Sequence, residues 1–244
     1  MRYFIQLSYL GSAYCGWQVQ PNGISVQEVL NQKLSILLKQ NIETTGQGRT
    51  DAGVHAKKTF AHFDFEGELP PNFAFKLSQL MPYDVAIQKI ILVNATAHAR
   101  FDALSRRYEY IVCHQKNPFF HQRAMLLTHQ LNYDAMHAAC KILPTYTDFS
   151  CFSKSNTQVF TNNCAISEAK WDSYAEYSVF TIEANRFLRN MVRAIVGTML
   201  EVGLGKIPPD ALHEIIQSKN RSLAGQSVPA CGLYLIDVKY PYSV

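Results

Sequence analysis

The sequence predicts an α+β protein of two halves, residues 1–104 and 105–244, meeting along a cleft. Three observations carry that expectation. Short runs with a period of two, such as Arg2 to Tyr9, alternate polar and apolar residues as half-buried strands do. Runs with helical spacing, such as Val26, Leu30, Leu34 and Leu37, fall between them. The two kinds of run are interspersed in both parts of the chain rather than segregated. No internal repeat is strong enough to prove that the halves are related.

Taken in order, Arg2 to Tyr9 is the first strand, and Gly11 to Gly23 is a loop holding Tyr14 and Trp17. Ser25-Val26-Gln27-Glu28 is a capping box that opens a helix to about Leu38. Two strands, Ile42 to Gly46 and Thr59 to Phe65, flank a glycine-rich turn. After Pro70-Pro71-Asn72 come a short helix through Leu80, a strand from Val85 to Val93, and a strand from Arg106 to His114. Tyr108 and Tyr110 share one face of that last strand. A helix from about Tyr133 to Leu143 stops at Pro144, and Asp148 to Asn163 reads mostly as loop. Cys164 to Trp171 and Tyr177 to Ala184 read as an antiparallel pair. The longest helix is expected over Arg186 to Val202, another from Pro208 to about Ser218, and a final strand over Gly232 to Val238.

Composition narrows the function. With 244 residues, 48% of them hydrophobic, the chain can bury a substantial core, and disorder is not indicated. No run of eighteen apolar residues offers a membrane span, and the N-terminus does not read as a signal peptide. The six cysteines are scattered without a C-x-x-C pair, as expected of reduced thiols in a cytoplasmic protein. The net charge of +4 is mild, so a nucleic-acid partner requires positive charge gathered on one face. The eight histidines include no H-x-x-x-H pair around an acid, which leaves metal hydrolysis unsupported.

The chemistry concentrates in Gly46-Gln47-Gly48-Arg49-Thr50-Asp51-Ala52-Gly53-Val54-His55-Ala56. It is neither a dinucleotide-binding G-x-G-x-x-G nor a phosphate-binding P-loop, because Asp51 stands where the third glycine belongs and no G-K-[ST] follows. What remains is a carboxylate beside the Arg49 guanidinium on a tight connector. An adjacent cation stabilises the ionised form, which can serve as nucleophile or general base. A plain hairpin-like turn with a solvated Asp51 is the competing reading. Arg186, Arg189 and Arg193 fall at i, i+3 and i+7 of the long predicted helix, one stripe able to grip phosphates or hold a carboxylate. Arg193 adjoins the apolar face and wants an anionic partner, for which Asp51 is the candidate. Arg106, Arg107 and Tyr108 place cations beside a ring that can stack on a base. His98, Arg100, Lys57 and Lys58 are candidate phosphate contacts, and His55 is expected to be a structural hydrogen-bonder.

Gly48 to Ala56 resembles the signature of the TruA-type tRNA pseudouridine synthases over nine consecutive residues. Further segments fit the same family in the same order: Tyr9-Leu10-Gly11, Gly16 to Gln20, Ser25 to Gln27, His98 to Phe101, Arg107 to Tyr110, Phe187-Leu188, Met191-Val192-Arg193, Val196-Gly197 and Gly232 to Leu235. Leu10 and Ala194 depart from it, where the family often has Asp and Asn. The resemblance implies two pseudo-twofold-related halves sharing a mixed, largely antiparallel sheet with helices packed on it. It implies that uridines 38, 39 and 40 of the tRNA anticodon stem-loop are isomerised to pseudouridine. Asp51 then matches the nucleophile, and Tyr108 the tyrosine on the target uracil that is implicated in taking the C5 proton. Arg193 matches the partner of the catalytic acid, Leu233 the apolar lining of the base pocket, and Arg49 an arginine near the reacting nucleotide. No cofactor is implied, and a homodimer whose two subunits both touch tRNA is. Two readings compete with it: a non-catalytic RNA-binding module, which gives no role to Asp51, and an aspartate-nucleophile hydrolase, which lacks an evident water-activating base beyond His55.

Overall fold

The structure is a computed structural model that describes residues 1–154 and 160–244. The chain runs β1 (Arg2–Tyr9), α1 (Val26–Leu38), β2 (Thr45–Gly46), β3 (His55–Asp64), α2 (Phe73–Leu80), β4 (Val85–Val93), β5 (Ser105–Cys113), β6 (Met125–Leu126), α3 (Tyr133–Ile142), β7 (Ile166–Ser173), β8 (Tyr177–Ala184), α4 (Met191–Gly203), α5 (Ala211–Ser218) and β9 (Leu233–Lys239). It is α+β, with both antiparallel and parallel strand pairs. Part of the expected loop between Asp148 and Asn163 lies outside the described residues.

The chain forms two compact units, Met1–Leu104 with Tyr234–Val244, and Ser105–Leu233. The residues from Tyr234 onward thus belong to the first unit, whereas the sequence reading counted them in the half 105–244. The reason is non-local pairing. His55 and Ala56 of β3 lie parallel to Tyr234 and Leu235 of β9. The rings of Tyr240 and Tyr242 meet Phe4 edge-on, and Tyr240 also meets Phe60.

In the first unit β1 is flanked by β3 and β4, both antiparallel to it. Helix α1 buries Val26, Leu30 and Leu34, three of the four positions its spacing nominates. Its N-terminus is satisfied by Ser25, whose hydroxyl accepts from the Glu28 N–H, while the N–H groups of Val26 and Gln27 donate to the Gly16 and Trp17 carbonyls. Strand β2 is shorter than Ile42 to Gly46. The Ile42 and Thr44 N–H groups donate to the side chains of Ser35 and Asn31 on α1, so ladder pairing starts only at Thr45. Strand β3 starts earlier than Thr59 because β9 recruits its first residues.

In the second unit β8 lies between β5 and β7, antiparallel to each. Helix α3 packs on α4 and β7. Helix α4 is almost wholly buried, from Met191 to Gly203, with Arg193 a half-exposed exception near its start. It does not begin at Arg186. Asn190 stands at its N-terminus with φ +67°, and the polar groups of the preceding residues serve other segments. The Asn185 N–H donates to the Ala165 carbonyl, and the Arg189 carbonyl accepts from the Lys154 N–H. Arg186 and Arg189 therefore sit on a connector between β8 and α4, and the expected stripe of three arginines on one helix does not exist.

Candidate active site

The turn that carries Asp51 is held mainly by backbone. The Val54 N–H closes it onto the Asp51 carbonyl at 3.2 Å, and the Gly53 N–H donates to the Tyr14 carbonyl at 3.3 Å. The loop after β1 lies flush against it. A Cβ on Gly11 would stand 2.0 Å from the Val54 carbonyl oxygen, and one on Gly16 2.2 Å from that of Thr50. Gly16 also has φ +95°, in the left-handed region that side chains avoid. Behind the turn, the Tyr9 hydroxyl meets Thr50 Oγ1 at 3.0 Å, and the Gly11 N–H donates to His55 Nδ1 at 2.9 Å. His55 is wholly buried and stacks on Tyr234 with centroids 4.6 Å apart, the structural hydrogen-bonder expected of it. Accepting at Nδ1 places its ring proton on Nε2. Asp51 is left half-exposed, while Arg49 is exposed.

The loop itself is anchored in turn. The Tyr14 hydroxyl donates to Asp84 at 2.7 Å, and burial together with that carboxylate pushes the phenol pKa up. Trp17 is buried over Gly46, where a Cβ would meet its indole nitrogen at 2.2 Å. Of the signature glycines, Gly46 answers to close approach and Gly53 to its φ of +81°, while a Cβ on Gly48 would meet open space. Sequence reasoning missed the part played by Gly11 and Gly16. The one signal available was two glycines in an aromatic-bearing loop directly after a strand.

His98 and Arg100, also in the first unit, occupy a tight turn before β5. His98 Nδ1 accepts from the N–H groups of Arg100 and Phe101, and the His98 N–H donates to Asp102 at 2.7 Å. His98 thus organises the turn, and Arg100 stands exposed on it. Beneath lies His62, only 6% exposed, its Nδ1 accepting from the Ala99 N–H. Burial, helped by the nearby Arg2 charge, depresses its pKa to about 4. Lys58 pairs with Asp237 at 2.8 Å, and Lys57 lies over the Tyr234 ring.

In the second unit Tyr108 is 9% exposed, with Phe187 edge-on to its ring at 5.2 Å. Arg107, on the opposite strand face, is held by Glu168 and Glu183, so two carboxylates compete with any phosphate for it. Arg193 Nε donates to the Val228 carbonyl at 2.7 Å, and the Val228 N–H returns to the Arg193 carbonyl at 3.2 Å. Tyr110 donates its hydroxyl to the Pro229 carbonyl, and Gly232 fits under the Tyr110 ring, where a Cβ would stand 2.6 Å away. Those contacts fix the approach to Leu233, which is buried. Arg186 Nη1 donates to the Thr161 carbonyl, and Arg189 is exposed. Asp51, Arg49, His98 and Arg100 thus belong to the first unit. Tyr108, Arg193, Leu233, Arg186 and Arg189 belong to the second.

Among the described residues, no group of three or more His, Cys, Asp or Glu side chains could hold a metal ion, and no helix is long and apolar enough to cross a membrane. All six cysteines are free thiols, and burial pushes Cys140 and Cys151 up to about 12.

A family model described as tRNA pseudouridine synthase matches residues 139–241. A protein of Parabacteroides distasonis named tRNA pseudouridine synthase A is 51% identical over 243 residues, covering 98% of this chain and 96% of its own. Proteins of the same name from Bacteroides fragilis and Francisella tularensis are 49% and 36% identical, the first covering 100% of this chain and 98% of its own length, the second 98% and 94%. With identity at this level along its whole length, the chain belongs to the tRNA pseudouridine synthase family.

Proposed function

We propose that this protein isomerises uridine to pseudouridine at positions 38, 39 and 40 of the tRNA anticodon stem-loop, with Asp51 as the nucleophile. The observation that carries the reading is the Asp51 turn. A carboxylate is offered half-exposed from a backbone fixed by two glycine approaches, a placement that ordinary surface acids do not need. The reaction breaks the N-glycosidic bond, turns the uracil and rejoins it through C5. It involves no net redox change, so the reading requires no cofactor. The target base is flipped out of the stem-loop stack before reaction. Asp51 adds to the flipped nucleotide and later leaves.

Arg193 partners the catalytic acid and orients it. Tyr108 packs on the uracil, a contact of about 1–3 kcal/mol, and takes part in removing the C5 proton. Its hydrophobic setting suits a ring that must meet a base. Leu233 lines the base pocket. Arg49 lies near the reacting nucleotide, and Arg100, Arg186 and Arg189 hold phosphates, with His98 shaping the turn that presents Arg100. The working unit is a homodimer in the cytoplasm, with tRNA touching both subunits.

The test is tritium release from tRNA carrying 5-³H-uridine, because forming the C5 bond expels that hydrogen. Wild type should release it, and Asp51→Asn should bind tRNA and release none. Salt-sensitive binding without release by wild type would instead support the non-catalytic RNA-binding reading.

A further inference from the structure

The segment between α5 and β9 is laid along the first turns of α4, and one side chain shapes it. Arg221 Nη1 donates to the carbonyls of Ala224 and Gly225, at 3.2 and 3.1 Å, and Nη2 donates to Ser227 Oγ at 2.8 Å. The same hydroxyl oxygen accepts from Asn190 Nδ2 at 2.6 Å, at the N-terminus of α4. The Gly225 N–H donates to Thr198 Oγ1 at 2.9 Å. The segment closes so near the helix that a Cβ on Gly197 would stand 1.9 Å from the Gln226 carbonyl oxygen. It ends at Val228, whose carbonyl takes the Arg193 Nε–H.

We propose that Arg221, anchored through Ser227, is a positioning residue for Arg193. By curling residues 224–227 it sets the Val228 carbonyl where Arg193 Nε must point. With Nε tied, the planar guanidinium has its direction fixed. Half-buried, with both Nη groups donating inward, Arg221 is poorly placed to grip RNA. The function it serves rests on the reading that Arg193 orients Asp51.

The experiment measures kcat and KM for tRNA by tritium release. It compares wild type, Arg221→Ala, Arg221→Lys, Ser227→Ala and, as reference, Arg193→Ala, with folding checked by circular dichroism. Arg221→Ala should lower kcat about tenfold and leave KM within about twofold, because binding is untouched and an interaction of the reacting state is lost. Ser227→Ala should lower kcat about threefold with KM unchanged, and Arg221→Lys should recover part of the loss.

A folded Arg221→Ala with wild-type kcat overturns the proposal. So does a variant that raises KM alone, which would make Arg221 an RNA contact. Should Arg221→Ala fail to fold, Ser227→Ala decides by the same two readouts. The underlying reading fails separately: wild type would release no tritium, or Arg193→Ala would turn over normally, and either result takes this inference down with it.

Discussion

The Asp51 turn and the start of α4 each present one charged group, but they hold it in different ways. Asp51 is placed by main chain against main chain, with Gly11 and Gly16 letting one loop touch another at the carbonyls of Val54 and Thr50. Arg193 is placed by side-chain hydrogen bonds, through Arg221, Ser227 and Asn190 to the Val228 carbonyl. The difference suits the two side chains. A short carboxylate has little reach, so its backbone must be right to a fraction of an ångström. A long arginine has reach to spare and needs its torsions restrained instead. Substitutions in the first region should therefore act through sterics and be severe, and those in the second should be graded.

The largest expected effect lies at Asp51 itself. Asp51→Asn removes the proposed nucleophile with almost no change of volume, so turnover should fall by about 10⁴-fold or more while thermal unfolding stays at the wild-type temperature. Tritium release and a melting curve on one preparation check both halves of that statement. Turnover within tenfold of wild type would remove Asp51 from the chemistry.

Next comes Gly16→Ala, which adds one methyl group 2.2 Å from the Thr50 carbonyl oxygen at φ +95°. Two incompatibilities at one residue should cost about 3 kcal/mol of stability. Because the collision is with the residue before Asp51, turnover should drop more than tenfold as well. Gly48→Ala is the control. Its Cβ meets nothing within 4 Å and Gly48 has no positive φ, so denaturant unfolding should stay within about 0.5 kcal/mol of wild type. Equal losses at the two positions would break the claim that the first region is placed by backbone contact.

That contrast bears on what the sequence could reveal. The nine residues around Asp51 stand out because their chemistry is local: glycines, a cation and an acid on one connector. The clamp that positions them comes from Gly11 and Gly16, some forty residues earlier, and a contact at that separation leaves no mark in local pattern. Most strands and helices were legible from periodicity, with ends misplaced where long-range partners intervene. β3 gains His55 and Ala56 from β9, and β2 loses Ile42 to Thr44 because α1 side chains take its donors. The stripe of Arg186, Arg189 and Arg193 was a coincidence of spacing. Leu188 continues the apolar pattern of α4 backwards, yet Asn190 at φ +67° ends the helix geometry after it. Arg221 and Ser227 carried no signal, because Arg221 holds carbonyls, which any sequence supplies, and Ser227 also meets Asn190, a residue far from it in sequence.

The sheet bearing the Asp51 turn also has an acid-sensitive group in its interior. His62 is buried against His98, Arg2, Asp64 and Asp102, with its pKa depressed to about 4 from the ordinary 6.5. Between those values the unfolded chain binds a proton that the folded one refuses, so stability rises with pH across the window. It should be complete above about pH 6.5, decline as pH falls towards 4, and lose on the order of 2 kcal/mol over that span. His98, Asp64 and Asp102 also have lowered values and add slope of the same sign, the two carboxylates only near pH 4, so the His62 part is the difference between wild type and variant. Urea unfolding from pH 4 to 7 measures it. His62→Asn, able to accept from the Ala99 N–H, should flatten the curve, and an unchanged slope in that variant would assign the effect elsewhere.

Gly197→Ala tests the second region with the same added methyl group and should cost less stability than Gly16→Ala. The collision, 1.9 Å from the Gln226 carbonyl oxygen, is at least as tight as the one at Gly16. Two things soften it. Gly197 lies inside α4, where alanine is favoured over glycine by about 1 kcal/mol. The obstructing atom belongs to an exposed residue in a loop, which can shift outward at the cost of a few hydrogen bonds. Net destabilisation should be about 1 kcal/mol or less. The shift acts on Val228 two residues on, so kcat should fall several-fold with KM unchanged, as for Ser227→Ala. A melting point close to wild type together with a reduced kcat would separate the two ways of holding a charge, because at Gly16 both quantities fall together. If Gly197→Ala loses as much stability as Gly16→Ala, the segment is as rigid as the turn and the distinction disappears.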